Sequence, residues 1–412
     1  MNVFPASKLW IFYLNWTHHP VCGFAAAIPP GQEGRSLRSG KYVGAPSGEG
    51  FFSQTPKSRY TGAVILQEHI PLAPMTTLGV GGPARYFAEA EDEDDVVMAL
   101  AFAKTRDLPV FVLGGGSNLL VSDFGFPGMV LRVAAKGVQL EPAGDNILLT
   151  AAAGEDWDRI VASCVETNLG GVECLSGIPG SVGGTPVQNV GAYGQETADT
   201  LVSVRALDRD TEEIVELNRE QCGFAYRTSI FNTTHRDRYI VLQVTYSLRK
   251  NGIPLVKYPD LQRSLKQSSR PPTLAEVRSA VLEIRSSKGM LIVEGDPDCR
   301  SAGSFFKNPI ITQAEYSRLQ SVGGGNVPCY PASDGNVKTS AAWLIEQAGF
   351  TKGFALGPAA VSRKHTLALV NTGGARAVDI LALAREIRRG VYDRFGTRLT
   401  PEPVFVGFIE EF

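Results

Sequence analysis

The sequence predicts an α+β fold in which strands and helices are separated by long glycine-rich loops. Hydrophobic residues make up 43% of the 412-residue chain and charged residues 20%, which is typical of a globular protein with two or three domains. Several segments have the apolar spacing of a helix, and shorter apolar runs have the character of strands. Two further segments contain too much glycine for either element.

The predicted elements follow one another along the chain. Acidic residues begin and basic residues end DEDDVVMALAFAKTRD (92–107), as a helix dipole favours. After it come the strand PVFVL, the strand-like runs LVSVRALD and YIVLQVTYSL, and a helix over 273–289. Helical spacing returns at 341–350 and at 377–396, where Gly396 ends the helix, and a strand, TPEPVFVGFIEEF, closes the chain.

Charge and composition argue against several classes of partner. Lys and Arg (40) nearly balance Asp and Glu (42), so nothing in the net charge favours nucleic acid or an acidic membrane. The six cysteines form no CxxC pair and the five histidines are dispersed, so we expect reduced thiols, a cytoplasmic protein and no metal site. No apolar run reaches the roughly 18 residues of a membrane-spanning helix.

The N-terminal 62 residues differ from the rest of the chain. LWIFYLNW (9–16) is apolar and aromatic, but HHP interrupts it and a Gly/Ser/Pro-rich stretch follows. A cleaved signal peptide with FAAA as its cleavage region is one interpretation. Because the apolar core is short and broken, we expect instead a disordered extension, or residues upstream of the true start.

The first glycine-rich segment, LGGGSNLLV, follows a predicted strand like a dinucleotide-binding turn. The GxGxxG pattern fails, because Leu119 occupies the third glycine position and strand and turn residues follow instead of a helix. The backbone N–H groups at 114–116, with the Ser117 hydroxyl and the Asn118 amide, can still bind a diphosphate as an anion nest. A tight structural turn is the alternative.

The second glycine-rich segment is GIPGSVGGTPVQNVGAYGQE (177–196). It is too polar and too broken for a helix and too long for a simple turn. Ordered loops of this length usually bind a ligand. Two such loops, each beside a strand, would suit a large extended cofactor with a diphosphate in its middle.

Three residues elsewhere are candidates for chemistry. Ser304, in RSAGSFFKNP, would need a base to act as a nucleophile; the only later histidine, His365, fits a surface position before a strand, and GxSxG and SxxK motifs are absent. Arg227, in FAYRTSIF, is either a surface side chain or a buried guanidinium that binds a carboxylate or phosphate. Glu402, between two prolines, is by itself best explained as a solvated charge at a strand edge.

Nine stretches in a fixed order carry a family resemblance. They are TTLGVGG, LGGGSNLLV, GIPGSVGGTPVQNVGAYGQE, CGFAYRTSIF, VKYPDL, RSSKG, SAGSFFKNP, WLIEQAGF and LTPEPVFVG. With them, the chain from residue 76 to the C-terminus resembles the UDP-N-acetylenolpyruvoylglucosamine reductases, flavoenzymes of peptidoglycan precursor synthesis. One glycine loop would be weak support, whereas nine ordered matches are hard to explain by coincidence.

The resemblance implies fold, cofactors and reaction. It implies an FAD-binding domain of the vanillyl-alcohol-oxidase (PCMH) type and a smaller C-terminal α/β substrate-binding domain. The implied reaction is NADPH-dependent reduction of UDP-N-acetylglucosamine enolpyruvate to UDP-N-acetylmuramate, with hydride from reduced FAD and a proton from a serine. We expect FAD to be non-covalent because no histidine lies between His69 and His235; attachment through Cys164, Cys174 or Cys222 is the alternative to buried thiols.

The resemblance also implies functional residues, motif by motif. The family's catalytic residues fall on Arg227, Ser304 and Glu402, and its substrate-binding residues on Tyr258, Lys288 and Asn308, where the tyrosine belongs to one of two subtypes. The cofactor-binding residues expected are Gly114, Gly115, Gly116, Ser117, Asn118, Gly180, Ser181, Gly183, Gly191 and Tyr193. The chain departs from the family in having KGMLIVEGDPDC after Lys288, where KLP is common, and Pro403 where a valine is usual.

We expect three regions along the chain. Residues 1–62 form the extension; residues 63–290 form the FAD-binding domain, with subdomains at about 63–132 and 133–290 and a returning C-terminal strand at 400–412; residues 291–399 form the substrate-binding domain. We expect a monomer. Two other functions are open at this level: a flavin oxidase that uses O2, and a nucleotide-sugar binder that has lost its chemistry.

Overall fold

The computed structural model describes residues 64–254, 256–265, 270–324 and 326–409. The predicted extension and its signal-peptide alternative therefore lie outside the described residues, which belong to one compact unit. The helices in these ranges are α1 (Glu93–Thr105), α2 (Trp157–Glu166), α3 (Pro259–Leu265), α4 (Leu274–Ser287), α5 (Gln313–Gly323), α6 (Ala341–Gln347) and α7 (Ala377–Phe395).

The strands are shorter and more numerous. They are β1 (Leu66–Pro71), β2 (Pro83–Ala90), β3 (Val110–Leu113), β4 (Leu119–Val121), β5 (Phe126–Val133), β6 (Val138–Ala143), β7 (Asn146–Ala152), β8 (Leu169–Gly170), β9 (Gly191–Ala192), β10 (Gln195–Glu196), β11 (Leu201–Asp208), β12 (Ile214–Asn218), β13 (Tyr239–Lys250), β14 (Ile310–Ile311), β15 (Tyr330–Pro331), β16 (Val337–Lys338), β17 (Ala355–Leu356), β18 (Ala359–Val361), β19 (Leu369–Asn371) and β20 (Val404–Val406).

The first sheet has the order β1-β2-β5-β3. Strands β2 and β3 both run parallel to β5, and α1 connects β2 to β3 as a crossover helix. Asp92 caps this helix by accepting a hydrogen bond from the Asp95 N–H, and acidic residues fill its first turn. The predicted helix over 92–107 and the strand PVFVL are therefore confirmed, and β3 delivers the chain into the first glycine loop.

The second sheet is antiparallel, with the order β12-β11-β13-β7-β6 and β8 paired to β13. Its long strands β11 and β13 match the runs LVSVRALD and YIVLQVTYSL. Trp157 of α2 and Tyr246 of β13 are fully buried beside each other, with ring centroids 5.5 Å apart. The second glycine loop lies between α2 and β11 in sequence, so this core supports both of its ends.

The C-terminal part combines α5, α6 and α7 with two small antiparallel sheets, β14-β16-β15 and β17-β18-β19. Its core also includes Leu78, Val80 and Leu120 from the N-terminal part of the chain. The helices predicted over 341–350 and 377–396 are confirmed, and Gly396 ends α7 in the left-handed conformation that glycine favours. No helix within the described residues has the length and apolar character required to cross a membrane.

The closing strand is much shorter than predicted. Of the predicted strand, residues 410–412 lie outside the described residues, and within 400–409 only Val404–Val406 forms β20, which pairs in parallel with β4 beside the first glycine loop. Pro401 and Pro403 have no N–H group, so the preceding residues cannot continue the ladder. This pairing carries Glu402, near the end of the chain, to the loop that follows β3.

Candidate active site

One cleft in the described part of the chain is lined by every residue that the sequence suggested for catalysis, substrate binding or cofactor binding. Its volume is about 1660 Å³, larger than the roughly 300–1000 Å³ of an ordinary small-molecule site. The two glycine loops, the turn at Arg227, the segment after Ser304 and the strand edge at Glu402 all contribute to its walls. The cleft therefore has room for more than one large ligand.

The two glycine loops pack backbone against backbone. A Cβ atom at Gly115 would lie 2.4 Å from the Cα of Gly180, and one at Gly116, whose φ is 67°, would lie 1.8 Å from the Met75 carbonyl oxygen. Only glycine fits at these positions. Among the described residues, the N–H groups of Gly115, Gly116 and Ser117 have no hydrogen-bond acceptor, so these donors remain available to a diphosphate, as a cofactor site at this loop requires.

Asn118 lies in the first loop but has a different environment from the one expected. Its Nδ2 donates to the Gln188 Oε1 at 2.8 Å and to the Glu402 carbonyl oxygen at 3.2 Å. Both amide protons are therefore directed at protein groups and not at a diphosphate.

The second loop ends in a tight hairpin, β9–β10, at Tyr193. Tyr193 has a φ of 51°, and its ring meets that of Tyr258 edge-on, with centroids 5.4 Å apart. Gln195 anchors the hairpin, because its Nε2 donates to the buried Glu173 Oε1 at 2.8 Å and its Oε1 accepts from the Cys174 N–H at 2.7 Å. The buried carboxylate thus fixes the loop that carries Tyr193.

Arg227 lies in a two-residue turn whose ends, Ala225 and Thr228, exchange two backbone hydrogen bonds of 3.0 and 3.1 Å. Its φ of 53° is the left-handed conformation that glycine usually occupies in such a turn. Its Nε donates to the Glu402 Oε1 at 3.1 Å and its Nη2 to the Gly191 carbonyl oxygen at 2.7 Å, and only 20% of the side chain is exposed. Of the two interpretations of Arg227, the buried guanidinium is correct.

Glu402 is buried, so the interpretation as a solvated edge charge is wrong. Its side chain is 13% exposed, and its N–H donates to the Phe305 carbonyl oxygen at 2.8 Å. Burial raises the pKa of Glu402 above its usual value, against the opposing charges of Arg227 and Lys307. A raised pKa favours the protonated form of the Glu402 carboxyl group relative to an exposed glutamate.

Ser304 is half-buried in the wall of the cleft. Among the described residues, its hydroxyl has no hydrogen-bond partner. The preceding Gly303 has a φ of 70°, and a Cβ atom there would have no neighbour within 4 Å, so a ligand can approach the backbone closely. Phe305 and Phe306 are both almost fully buried and anchor this segment.

His365 does not occupy the surface position that its local sequence indicated. It is half-buried and lines the same cleft, and burial together with the charges of Lys288 and Lys352 lowers its pKa to about 4. Its imidazole is therefore neutral at physiological pH. No hydrogen bond within the described residues joins it to Ser304, so the serine still lacks a base of the hydrolase type.

The residues suggested for substrate binding have mixed surroundings. Tyr258 precedes α3 and is 40% exposed at the cleft. Lys288 follows α4 and forms a salt bridge of 2.9 Å with Asp260; burial lowers the pKa of Lys288, but this bond and nearby acidic groups outweigh burial and raise it. Asn308 Oδ1 accepts from the N–H of Ala341 at the start of α6, and its side chain also hydrogen-bonds to Tyr226.

Two further residues of the cleft were not expected from the sequence. Arg285 is buried in the last turn of α4, three residues before the C-cap Lys288, and its guanidinium donates to the carbonyl oxygens of Gly177 and Met290 at 3.1 and 2.8 Å. Its spacing of three residues from Lys288 places both on one helix face, a signal that could have identified it. Gln188, the partner of Asn118, had no signal beyond its polarity.

Cationic side chains outnumber anionic ones around the cleft. Arg209, Arg227, Arg236, Arg285, Lys288, Lys307 and Lys338 face it, against Glu196, Asp199, Asp237 and Glu402. This excess favours ligands that carry several negative charges, such as phosphates. Within the described ranges, no group of three or more His, Cys, Asp or Glu side chains could hold a metal ion.

Two family models match the two parts of the chain. One describes an FAD binding domain and matches residues 84–218; the other describes the C-terminal domain of UDP-N-acetylenolpyruvoylglucosamine reductase and matches residues 296–406. Fold, glycine loops and cleft thus define the class as an α+β flavoprotein with a PCMH-type FAD-binding domain.

Curated relatives identify the family within this class. The UDP-N-acetylenolpyruvoylglucosamine reductases of Thermobifida fusca and Nocardia farcinica are 49% and 50% identical to this chain over 349 and 359 residues, which cover 82% and 84% of it and 97% and 91% of the relatives. The crystal structure of that enzyme from Thermus caldophilus aligns with a TM-score of 0.56 and 27% identity, covering 84% of this chain and 99% of that chain. The chain belongs to the UDP-N-acetylenolpyruvoylglucosamine reductase family and is an FAD-dependent oxidoreductase.

Proposed function

We propose that the enzyme reduces UDP-N-acetylglucosamine enolpyruvate to UDP-N-acetylmuramate at the expense of NADPH, for peptidoglycan precursor synthesis and cell wall biogenesis. The observation that carries the proposal is the 3.1 Å contact between the Arg227 Nε and the Glu402 Oε1, in the cleft that Ser304 also lines. When bound, FAD supplies the hydride carrier between NADPH and the substrate.

Arg227 and Glu402 would stabilise charge on the substrate carboxylate. Hydride addition to the enolpyruvyl methylene carbon moves negative charge into the adjacent carboxylate, giving an enediolate-like intermediate. The Arg227 guanidinium, permanently charged and forked, can hold that carboxylate at two points. Glu402, whose pKa is raised by burial, can share a proton with its other oxygen.

Ser304 would deliver the proton that completes the reaction. The α-carbon of the intermediate is strongly basic, so a weak acid such as a hydroxyl suffices and no histidine partner is needed. Its hydroxyl faces the cleft with no protein partner among the described residues, and the adjacent Gly303 leaves space for the ligand. Ser304 has no hydrogen-bonded base, which argues against a role as a nucleophile but is compatible with a role as a proton donor.

Tyr258, Lys288 and Asn308 would bind the nucleotide portion of the substrate. All three line the cleft, and Lys288 has N–H donors beyond the one that contacts Asp260, which suit phosphate oxygens. The altered sequence after Lys288 does not remove its side chain from the cleft. In this assignment Tyr258 binds the substrate and takes no part in the chemical steps, which Arg227, Ser304 and Glu402 perform.

Non-covalent FAD would lie along the two glycine loops. The unpaired N–H groups of the first loop suit its diphosphate, and the assigned residues of the second loop (Gly180, Ser181, Gly183, Gly191 and Tyr193) line the same cleft. Burial raises the pKa of Cys164, Cys174 and Cys222 to about 12, and none of the three lines the cleft, which supports a non-covalent cofactor.

As part of the same proposal, the enzyme acts in the cytoplasm as a monomer, with small-molecule partners alone. The near-balance of charged residues supports the exclusion of nucleic acid and of an acidic membrane surface.

Steady-state assays distinguish this function from its alternatives. We expect NADPH oxidation to require the enolpyruvyl substrate and to match it in stoichiometry, with little O2 consumption. An oxidase would consume O2 without that substrate. A binder without catalysis would take up the nucleotide sugar and oxidise no NADPH.

A further inference from the structure

The side chain of Asn118 joins three segments of the cleft. Besides its two amide contacts, to Gln188 in the second glycine loop and to the carbonyl oxygen of Glu402, its backbone carbonyl accepts from the Val404 N–H at 2.9 Å. Asn118, itself in the first glycine loop, therefore contacts the second glycine loop at Gln188 and the C-terminal segment at Glu402 and Val404.

The orientation of this amide is chemically determined. The Glu402 carbonyl oxygen can only accept, so the NH2 group of Asn118 must face it, and Gln188 must then present its oxygen to the same group. A flipped Asn118 amide would place oxygen against oxygen at the Glu402 contact.

Glu402 depends on this contact because prolines flank it. Its N–H is held by the Phe305 carbonyl oxygen at 2.8 Å. On its C-terminal side, Pro403 has no N–H to offer, and among the described residues Asn118 is the donor to the Glu402 carbonyl. With both peptide groups fixed, the side chain of Glu402 is directed at the Arg227 Nε.

We propose that Asn118 is a positioning residue that fixes Glu402 for the oxidation of reduced flavin by substrate, and is not a ligand of the cofactor. This inference rests on the proposed function, since it assigns Asn118 to one half-reaction of that function. It also explains why Asn118, although it lies in the diphosphate loop, donates both amide protons elsewhere.

The test uses Asn118→Asp in the holoenzyme. The aspartate keeps the shape but replaces the donor with oxygen, so it opposes the Glu402 carbonyl oxygen, whereas the Gln188 amide can turn and donate to it. We expect the FAD dissociation constant and the rate of flavin reduction by NADPH to stay within about threefold of wild type, while reoxidation by the enolpyruvyl substrate slows roughly ten- to hundredfold, as misplacement of a catalytic group does. Asn146→Asp, which removes an amide donor to Ser247 on the second sheet, is the matched control and should leave all three unchanged.

A second variant covers the case in which Asn118→Asp fails to fold. Gln188→Met removes one acceptor of Asn118 but retains the Glu402 contact, so we expect a smaller slowing of the same half-reaction and faster hydrogen exchange at the Val404 amide. A rise in the FAD dissociation constant with an equal fall of both half-reactions in Asn118→Asp would overturn the proposal. An unchanged rate of flavin reoxidation in both variants would also overturn the proposal. If Asn118→Asp does not fold, an unchanged rate in Gln188→Met alone would overturn it. A wild-type enzyme that fails to complete the cycle would overturn the proposed function instead.

Discussion

At the scale of single residues, the environment of each side chain decides its chemistry. Arg227 and Glu402 are each ambiguous in sequence, and in the structure they contact each other and both side chains are largely buried. Ser304 has the opposite character, because its hydroxyl faces the cleft with no protein partner among the described residues. From that difference follow the proposed roles: Arg227 and Glu402 stabilise negative charge on the substrate, and Ser304 donates the proton.

Ser304→Ala should separate the two half-reactions. Flavin reduction by NADPH needs no proton from the serine and should remain nearly intact, whereas reoxidation by the enolpyruvyl substrate should slow by several orders of magnitude. Stopped-flow absorbance of each half-reaction provides the measurement. Ser317→Ala on the exposed face of α5 is the control, and an equal loss in both half-reactions would make Ser304 structural.

Tyr258→Phe should weaken substrate binding more than it slows chemistry. The hydroxyl is lost while the edge-on ring contact with Tyr193 can remain, so we expect a several-fold rise in KM and a smaller change in kcat. Tyr330→Phe removes an exposed hydroxyl on β15, outside the cleft lining, and should change neither. An unchanged KM in Tyr258→Phe would count against its assigned role.

The residues that the sequence motifs suggested line one cleft, but the motifs could not supply the surroundings of each side chain. The pattern around His365 predicted a surface position, and the residue is half-buried beside Lys288, because burial there comes from segments distant in sequence. The Asn118 amide was expected at a diphosphate for the same reason: its partners lie 70 and 284 residues further along the chain. Local sequence carries no signal for contacts of that range.

At the scale of elements, Asp158 links α2, α4 and the second glycine loop. Its carboxylate accepts from the Arg278 Nη1 and Nη2 at 2.6 and 2.9 Å and from the Gly177 N–H at 2.6 Å. Burial alone would raise the pKa of Asp158, but these hydrogen bonds and the charge of Arg278 outweigh burial and lower it. The loop that is proposed to hold FAD therefore begins at a charge-assisted hydrogen bond.

Asp158→Asn should destabilise the protein at neutral pH. We expect a cost of about 1 kcal/mol, reduced from the usual value for a charged hydrogen bond because 34% of the Asp158 side chain is exposed. Since folding lowers the pKa of Asp158, its stabilisation is present above the unfolded value of about 4 and is lost as the pH falls through the folded value. Denaturant unfolding across pH, with the exposed Asp145→Asn in the turn between β6 and β7 as control, tests this. A cost that persists at acid pH would contradict it.

Helices were predicted better than the final strand, for a physical reason. Caps at Asp92, Thr273 and Gly396 mark helix ends within the local sequence. The strand over the last residues was predicted from its apolar alternation, but its length depends on pairing with β4, and the prolines restrict that pairing to Val404–Val406. Capping is a local property, whereas strand pairing is not.

At the scale of the whole molecule, the chain returns twice to its N-terminal part. Strand β20 pairs with β4, and the carboxylate of Asp123, just after β4, accepts from the N–H groups of Ala377 and Val378 at 2.7 and 3.0 Å. Asp123 thereby caps α7, a helix about 250 residues further along the chain. These links hold Glu402 against the glycine loops.

Asp123→Ala should cost about 1 kcal/mol of unfolding free energy, as the loss of a helix cap does. Chemical denaturation of the holoenzyme provides the measurement. Glu141→Ala, on the exposed strand β6, is the control and should change stability little. A cost indistinguishable from that of the control would mean that solvent replaces the cap without loss.

In the proposed reaction, this cleft transfers reducing equivalents from NADPH to an enolpyruvyl nucleotide sugar through bound FAD. The most direct test is the visible spectrum of the purified protein under anaerobic conditions. We predict a yellow protein whose flavin absorbance is bleached by NADPH and restored by a stoichiometric amount of UDP-N-acetylglucosamine enolpyruvate. A colourless protein that takes up no FAD, or a reduced flavin that O2 reoxidises but this substrate does not, would contradict the claim.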